Sequence, residues 1–372
     1  MQSQNSMYDG LYKNYREQIT YSRENAEKFT EEPVVIGEYT DPDPSVDFIK
    51  NIYRLEKFGP DPEPVVPAYE ENQDTEVLAV SFSPVSGAMM DRFHNLRVIG
   101  ISRTGTENVD IPAATKRGIL VVNAAGRNAN AVSDYAIGLV IAEARNIARQ
   151  HALMKAGGLV KEFSNNAIMP DLYGKTVGLF GFGYIGKLMA EKLSGFHVKI
   201  IAVDPYVTED EMKKYNVEKT DLDTLCKESD FISLHARQTK ENENTFDKEQ
   251  FEMMKPTAYF INTARASMVN YDAMIEALKE RKIAGAATDV YPKMPLDKDD
   301  PIRKLDNITL SAHLAGSTTD AVINSWKYVF QRISNTIHHI SSFGVLNPEV
   351  LEMDVYKKWA EERKELIKII ES

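Results

Sequence analysis

The chain has 372 residues, of which 43% are hydrophobic and 27% charged, a composition typical of a globular protein large enough for two domains. Its 55 acidic residues outnumber its 44 basic ones by 11, which argues against nucleic acid or an anionic membrane surface as a partner. One cysteine cannot form an internal disulfide, so a reducing cytoplasm is predicted.

The first 32 residues form a polar arm that lacks the basic and apolar regions of a signal peptide. Apolar side chains nevertheless recur in this arm at helical spacing: Tyr8, Leu11, Tyr12, Tyr15 and Ile19. This spacing predicts a helix with one apolar stripe. The stripe must be covered, and the sequence leaves open whether its own chain or a partner subunit covers it.

After the arm, apolar runs of strand length alternate with helical segments. Four runs come first: VVIGEY (34–39), VLAVSF (77–82), LRVIGI (96–101) and ILVVNA (119–124). This alternation predicts a parallel sheet. A mostly apolar stretch over 130–150 predicts one long helix that is buried on most sides. No run approaches the roughly 20 apolar residues of a membrane span.

A second alternation of strands and helices begins at Lys175. Its six apolar runs are TVGLFG, KIIAVD, FISLHA, AYFINT, IAGAATDV and NITLSAH. Six parallel strands are the number in a complete dinucleotide-binding sheet. A helix over about 318–340 is predicted to return the chain to the first domain. A charged tail helix should follow over 347–372, with a thin apolar stripe: Val355, Trp359, Leu366 and Ile370.

The second alternation contains the spacing G-x-G-x-x-G between a predicted strand and a predicted helix. It lies in VGLFGFGYIGK (177–187), and the predicted contact residues are Gly181, Gly183, Tyr184, Ile185 and Gly186. Glycines permit a tight turn and close approach of a pyrophosphate, and the helix that follows offers free N–H groups. The pattern alone also fits a merely structural turn, but its position favours a dinucleotide site.

An acidic residue, Asp204, ends the next predicted strand and is followed by Pro205. Its carboxylate would accept hydrogen bonds from a ribose diol and repel a 2′-phosphate. No arginine follows it directly, so the sequence predicts NAD rather than NADP.

Three further residues whose side chains could take part in catalysis end predicted strands: Arg265, Asp289 and His313. The carboxyl ends of parallel strands are where open α/β sheets bind ligands. Singly, each residue has an ordinary structural explanation as an ion pair, a helix cap or an edge residue. Together, beyond a nucleotide-binding turn, they predict a catalytic site.

These motifs resemble those of the D-isomer-specific 2-hydroxyacid dehydrogenases, over about 77–345. The stretches that carry the resemblance are 103–147, the glycine turn, 233–265 and 310–318. The resemblance implies an α/β fold in which a Rossmann NAD-binding domain (125–324) is inserted into a flavodoxin-like α/β substrate domain (1–124 and 325–372). It also implies a cleft between the domains, and a homodimer or higher homo-oligomer.

By position, the resemblance implies that Arg265 grips the substrate carboxylate and polarises its carbonyl, and that His313 is the acid/base. A guanidinium matches a carboxylate in two-pronged fashion, and an imidazole titrates near neutral pH. Backbone amides would cradle the carboxylate at Ser83, Arg103, Thr104 and Gly105. The cofactor would be lined by His235, Ala236, Thr263, Ala264, Asp289 and Gly316, with Asp289 facing the nicotinamide amide.

The chain departs from the family pattern at the position where a glutamate usually pairs with the histidine, because Met294 stands there. Three more departures are Arg237, Ala266 and Pro292. A methionine cannot favour the protonated imidazole, so His313 should be less basic than is usual in the family. Alternatively, Asp297, Asp299 or Asp300 folds back toward the histidine and replaces the glutamate. A further alternative is that Met294 forms an apolar wall of the substrate pocket.

The predicted function is an NAD-dependent oxidoreductase that transfers a hydride between nicotinamide and C2 of a small 2-hydroxy or 2-keto acid, with phosphoglycerate or a sugar acid as candidate substrates. The alternative is an NADH-sensing binding protein with little turnover. Candidate anchors for a second anionic group are Arg103, Arg127, Arg145 and Arg237, although each also fits an ordinary structural charge.

Overall fold

A computed structural model of the chain describes residues 23–24, 26–30, 54–55, 58–60 and 67–369. The predicted helical stripe at 8–19 and the predicted strand at 34–39 lie outside these residues.

Ten strands are found in the described part of the chain. In order they are β1 (Val77–Val80), β2 (Val98–Ile101), β3 (Leu120–Asn123), β4 (Thr176–Phe180), β5 (Lys199–Val203), β6 (Val217–Lys219), β7 (Phe231–Leu234), β8 (Tyr259–Asn262), β9 (Gly285–Thr288) and β10 (Ile308–Leu310). Nine fall within the predicted apolar runs. The sequence analysis missed β6, whose second and third residues are exposed.

Twelve α-helices are found in the same described stretches. In order they are α1 (Pro67–Glu71), α2 (Gly87–Met90), α3 (Ile111–Lys116), α4 (Ala129–Ala144), α5 (Ile147–Lys155), α6 (Tyr184–Leu193), α7 (Glu209–Lys213), α8 (Leu222–Glu228), α9 (Lys248–Met253), α10 (Tyr271–Lys279), α11 (Thr319–Ile337) and α12 (Asp354–Arg363). None of these helices combines the length and the apolar composition that a membrane crossing requires.

The chain divides into two compact units. The first unit comprises Met1–Arg127 and Thr319–Ser372, and the second comprises Asn128–Thr318. The sequence analysis placed the two borders at 124/125 and 324/325. The assignment of substrate binding to the first unit stays a prediction.

The first unit is built on the parallel sheet β1-β2-β3, in which Val77 aligns with Val98 and Val98 aligns with Leu120. All residues of β2 and β3 are buried because both faces of the sheet are covered. Helix α11 lies so close to β2 that a Cβ on Gly100 would stand 2.7 Å from Val329. The carboxyl ends of the three strands therefore share one edge, which positions the loops after them.

The tail of the chain packs on the first unit. Lys368 N donates to Phe29 O at 2.9 Å, and Ile367 is buried. The residues at 26–30 therefore pack on their own chain. Glu76, just before β1, accepts hydrogen bonds from Trp359 Nε1 at 2.9 Å and from Arg363 Nε at 2.7 Å.

The predicted apolar stripe of the tail was largely wrong. Of its members, Trp359 is buried, Val355 and Leu366 are 43% and 40% exposed, and Ile370 lies outside the described residues. Besides Trp359, the buried residues of the tail are Asn347, Val350, Tyr356, Ala360 and Ile367. A short 3-10 helix, Pro348–Glu352, precedes α12. It determines which face of α12 turns toward the sheet, and the spacing of apolar residues in the sequence does not reveal this.

The second unit is a seven-stranded parallel sheet with the order β10-β9-β8-β7-β4-β5-β6. Strand β4 has β5 on one side and β7 on the other, so the direction of winding reverses next to it. Such a reversal opens a crevice at the carboxyl ends of the strands, where open α/β sheets bind nucleotides.

The single long helix predicted over 130–150 is in fact two helices. Asn146, with a left-handed φ of +58°, separates the buried α4 from α5, and no residue of α5 is buried. At the end of α4 the buried Glu143 pairs with Arg149 at 2.8 Å and accepts a hydrogen bond from Thr309 at 2.6 Å. These contacts fix α4 against β10.

Candidate active site

The glycine turn connects β4 to α6. At two of its three glycines, neighbouring atoms of the chain leave no room for a side chain. Gly181 has φ +100°, and a Cβ there would stand 2.6 Å from the Ala236 Cα. A Cβ on Gly186 would collide with the Gly181 carbonyl oxygen. At Gly183, by contrast, no atom lies within 4 Å of the added carbon. The turn is therefore closely packed at Gly181 and Gly186 and open at Gly183, where a phosphate could approach the backbone.

Asp204 follows β5 and lies beside this turn. Its Oδ2 accepts a hydrogen bond from Phe182 N, and its Oδ1 accepts one from Tyr206 N, both at 2.8 Å. Each oxygen keeps a lone pair for a ribose hydroxyl. Pro205 is exposed, and so are Tyr206 and, at the start of α6, Tyr184.

Buried polar groups without partners mark the ends of β7 and β8. The strands align Leu234 with Asn262, so His235 and Thr263 are neighbours. Both are buried, and neither the two ring nitrogens of His235 nor the Thr263 hydroxyl bonds to any described residue. Burial lowers the pKa of His235 to about 3, so its ring is neutral. Unpaired buried polar groups are costly, and these fit a polar ligand such as NAD.

Asp289, at the end of β9, holds the loop that carries His313. Its fully buried carboxylate accepts hydrogen bonds from Ser311 Oγ at 2.7 Å, Leu314 N at 3.0 Å and Ala315 N at 2.8 Å. His313 lies between these anchors, is exposed, and has a left-handed φ of +55°. The sequence analysis placed Asp289 at the nicotinamide, which stays a prediction, and missed its contacts to this loop.

Arg265 follows β8 on a loop that an asparagine supports. Asn262 Nδ2 donates to Arg265 O at 3.0 Å, and Asn262 Oδ1 accepts from Ala264 N at 3.0 Å. The Arg265 guanidinium donates to Ala264 O at 2.9 Å, and it forms no ion pair within the described ranges. Arg265 is half-buried, so a carboxylate can reach it.

The remaining predicted residues of the second unit lie on the same edge of the sheet or in the loops after it. Ala236 and Ala264 are half-buried next to the unpaired groups, and Ile185 is half-buried in the first turn of α6. Gly316 lies against the Asn128 side chain, which a Cβ would strike.

Of the three acids that could replace the missing glutamate, Asp297, Asp299 and Asp300, the first and the last have other partners. Asp297 pairs with Lys293 at 2.8 Å, and Asp300 accepts hydrogen bonds from the Tyr271 hydroxyl and Ile302 N, both at 3.0 Å. Met294 itself is half-buried. The structure therefore gives no support to a replacement by Asp297 or Asp300.

In the first unit, two asparagines organise the loops after β1 and β2. Asn108 Nδ2 donates to Ser83 O, and Asn123 Nδ2 donates to Thr104 O, both at 2.8 Å. The backbone N–H groups of Ser83, Thr104 and Gly105 donate to no described residue. With carbonyls held and amides free, these loops have the character of a carboxylate cradle. The sequence analysis missed both asparagines.

Comparisons with known proteins agree with this architecture. Residues 137–315 match the family described as D-isomer specific 2-hydroxyacid dehydrogenase, NAD binding domain. The chain is 37% identical over 284 residues to a glyoxylate reductase of Thermofilum pendens, which covers 76% of this chain and 84% of that relative. It is 36% identical over 271 residues to a D-3-phosphoglycerate dehydrogenase of Archaeoglobus fulgidus, covering 73% of this chain. The chain spans only 50% of that relative's length.

Among solved structures, the apo-structure of D-lactate dehydrogenase from Escherichia coli is similar, with a TM-score of 0.62 and 28% identity. The match covers 80% of this chain and 96% of that one. The chain belongs to the D-isomer specific 2-hydroxyacid dehydrogenase family. It is an NAD-dependent oxidoreductase of that family, so the predicted fold class and cofactor are confirmed.

Proposed function

We propose that the protein interconverts a small 2-keto acid and the corresponding 2-hydroxy acid. The observation that carries this proposal is the composition of one sheet edge. Successive strands β7, β8, β9 and β10 end at unpaired buried polar groups, an arginine without an ion pair among the described residues, a loop-anchoring aspartate and a histidine. This is the set of groups that carbonyl reduction beside a nucleotide requires.

Arg265 binds the carboxylate of the substrate and polarises the neighbouring carbonyl, because its guanidinium has no competing carboxylate among the described residues. His313 donates a proton to the carbonyl oxygen during reduction and accepts it back during oxidation. Asp289 keeps the His313 loop in place through Ser311 and two backbone amides. The free amides at Ser83, Thr104 and Gly105 would bind carboxylate oxygens.

The cofactor would be held by the open glycine turn at Gly183, by Asp204 at the ribose, and by His235 and Thr263. A nicotinamide bound by these residues would supply the hydride for reduction and take it back in oxidation. Because His235 is neutral, one ring nitrogen can donate and the other can accept a hydrogen bond. Asp204 disfavours a 2′-phosphate, which supports NAD over NADP.

The proposed substrates are small 2-keto acids. Similar relatives carry the names glyoxylate reductase and hydroxypyruvate reductase, and others are named D-3-phosphoglycerate dehydrogenase. Phosphoglycerate is a candidate substrate on this basis. The sugar acids proposed from the sequence have no counterpart among these names.

The test is NADH oxidation with a panel of 2-keto acids, followed by Arg265→Ala and His313→Ala. We expect turnover by the wild type and a loss of kcat of about 1,000-fold in His313→Ala, with the Kd for NADH nearly unchanged. Intact turnover in His313→Ala would show that the mechanism is wrong. Tight NADH binding without turnover of any acid would favour the NADH-sensing alternative, which the comparisons do not support.

We also propose that the protein is a homodimer or a higher homo-oligomer, and that it works in a reducing compartment such as the cytoplasm. Helix α5 and the loop after it expose Ile147 (51%), Met154 (57%) and Leu159 (76%), which a second copy would cover. Light scattering after chromatography should show a single oligomer, and Met154→Glu with Leu159→Glu should shift it to a monomer.

The single cysteine, Cys226, is buried, and burial raises its pKa to about 12, so it is unreactive.

A further inference from the structure

Two loops leave the seven-stranded sheet side by side, because β9 and β10 are parallel neighbours. Thr288 at the end of β9 aligns with Leu310 at the end of β10. Ser311 N, the first amide after β10, donates to Thr288 O at 3.1 Å. The residues that follow β9 therefore run next to those that lead to His313, and a side chain in one loop can hold the other.

Tyr291 makes such a contact. Its hydroxyl lies 2.7 Å from Ser311 O and 3.1 Å from Thr288 O. A phenol has a single proton to donate, so the shorter contact, to Ser311 O, is the principal hydrogen bond. The residue is half-buried and packs against an apolar cluster of the second unit. Burial raises the pKa of Tyr291 well above its ordinary value, so the hydroxyl stays a donor throughout the working pH range.

His313 lies between two anchors. On its amino-terminal side Ser311 O accepts the hydrogen bond from Tyr291, and on its carboxy-terminal side Leu314 N donates to Asp289 at 3.0 Å. The backbone of His313 has a left-handed φ of +55°, which a residue with a side chain adopts only where its surroundings impose it. The two anchors supply that constraint, because they fix a peptide group on each side of the histidine.

A second tyrosine in the same unit distinguishes this role from a purely structural one. Tyr271 is also half-buried, packs against the same apolar cluster and has a pKa that burial raises. Its hydroxyl, however, donates to Asp300 at 3.0 Å and bonds to none of the described residues 311–315. If both hydroxyls only stabilise the fold, removing either one should have the same effect on the enzyme. If Tyr291 acts on His313, only the removal of the Tyr291 hydroxyl should slow the chemistry.

We propose that Tyr291 is a positioning residue for His313, which it holds through the carbonyl of Ser311. Tyr291 and Asp289 together fix the direction in which the imidazole leaves the backbone. This inference rests on the proposed function, which assigns proton transfer to His313. Tyr291 itself exchanges no proton with the substrate. It keeps the imidazole aligned with the carbonyl oxygen that is to be protonated, where a small displacement slows the transfer.

The first test compares Tyr291→Phe with Tyr271→Phe, each of which removes one oxygen atom and its hydrogen bonding. With the 2-keto acid that the wild type reduces fastest, Tyr291→Phe should lower kcat by about tenfold, because the imidazole is no longer aligned. The KM of that acid and the Kd for NADH should stay within about twofold of the wild type. Tyr271→Phe is the matched control. It should lose a similar few degrees in melting temperature but keep the wild-type kcat.

The solvent deuterium isotope effect on kcat provides a readout that general destabilisation does not change. A displaced imidazole slows proton transfer relative to the other steps, so the isotope effect should rise in Tyr291→Phe. In Tyr271→Phe it should keep its wild-type value. A wild-type kcat in Tyr291→Phe, or an equal loss of kcat in both variants, would overturn the proposal.

Hydrogen exchange tests the anchor without turnover and so separates this proposal from the proposed function. If no acid is reduced, the proposed function fails, while exchange still measures the loop. The Leu314 and Ala315 amides should exchange about tenfold faster in Tyr291→Phe than in the wild type, because the loop opens more often without this anchor. Tyr271→Phe should leave their exchange unchanged. Exchange at the wild-type rate in Tyr291→Phe would overturn the proposal, because Tyr291 would then not hold the loop.

Discussion

The carboxyl edges of the two sheets differ in how their polar groups are satisfied. At the seven-stranded edge the carboxylates of Asp204 and Asp289 accept backbone hydrogen bonds, and the unpaired groups of His235 and Thr263 are neutral. At the three-stranded edge the backbone amides of Ser83, Thr104 and Gly105 donate to no residue that the structure describes, and two asparagines hold the carbonyls of the same loops. The first edge is suited to a large ligand held by many hydrogen bonds, with Arg265 as a cation beside it, and the second to a small anion held by backbone amides.

The two edges should therefore respond to different changes. Apart from Arg265, which the proposed function assigns to the substrate carboxylate, substitutions at the seven-stranded edge should alter cofactor binding or the proton transfer. Substitutions at the three-stranded edge should alter the KM of the keto acid. The predictions that follow run from the largest expected effect to the smallest.

Gly181→Ala should weaken NADH binding by about 100-fold, because the added carbon meets the Ala236 backbone and displaces the turn. Gly183→Ala should fold normally but also bind NADH more weakly, since the open space at Gly183 is where a ligand would approach. Gly195→Ala is the control, because it likewise has no neighbour within 4 Å but is remote from the turn. Fluorescence titration measures the Kd, and wild-type affinity in Gly181→Ala would contradict the cradle.

Asp289→Asn should lower kcat by about 30-fold with little change in the Kd for NADH, because an amide cannot accept all three hydrogen bonds and the His313 loop would shift. Asp306→Asn, at an exposed ion pair with Arg281, is the control. A large rise in the Kd with kcat preserved would mean that Asp289 acts on the cofactor and not through the loop.

Asn108→Ala should raise the KM of the keto acid by about tenfold while the Kd for NADH stays constant, because Ser83 loses the donor that holds its carbonyl. This change addresses the three-stranded edge alone. If the Kd for NADH rose in step with KM, the separation of roles between the two edges would be wrong.

Met294→Glu should move the alkaline limb of the reduction profile upward by about one pH unit, since a carboxylate beside the imidazole favours its protonated form. Reduction requires that form, so the wild type should lose activity at the lower pH. Met294→Gln has nearly the same shape as the glutamate variant without its charge and should follow the wild type. Identical profiles for Met294→Glu and the wild type would defeat the hypothesis that His313 is unusually weakly basic.

His235→Gln should flatten the pH dependence of stability. The folded-state pKa of about 3 lies below the ordinary 6.5, so the unfolded chain binds more protons between these values. The free energy of unfolding of the wild type should therefore fall as pH drops below 6.5, by at most about 1.4 kcal/mol per pH unit for this group. Urea unfolding at pH 7.5, 6.0 and 5.0 measures the slope. His94→Gln, at an exposed position, should keep the wild-type slope.

The sequence predicted the strand ends well, because nearly continuous apolar runs mark buried parallel strands and parallel strands end at one edge. It therefore predicted that Arg265, Asp289 and His313 share an edge. It missed β6, since a three-residue strand with two exposed residues has no apolar run. It also missed the break at Asn146, because a single left-handed residue leaves helical spacing on either side intact.

What the sequence did not predict is the identity of partners that are distant along the chain. Asp289 bonds to residues at 311–315, and Arg127 to Ala321 and Ser325. Such contacts depend on which strands are neighbours and on the direction of each side chain. The asparagines that support the loops, Asn108, Asn123 and Asn262, were missed because a single amide carries no spacing signal.

The second unit is one continuous segment, Asn128–Thr318, whereas the first is assembled from both ends of the polypeptide. During synthesis the seven strands of the second unit are all translated before Thr319–Ile337. The sheet of the first unit, however, lacks α11 on one face until then, and its buried apolar residues must wait for that helix. We therefore expect the inserted unit to mature first on the ribosome, and nascent chains that stop short of α11 to need protection of the three-stranded sheet by a chaperone.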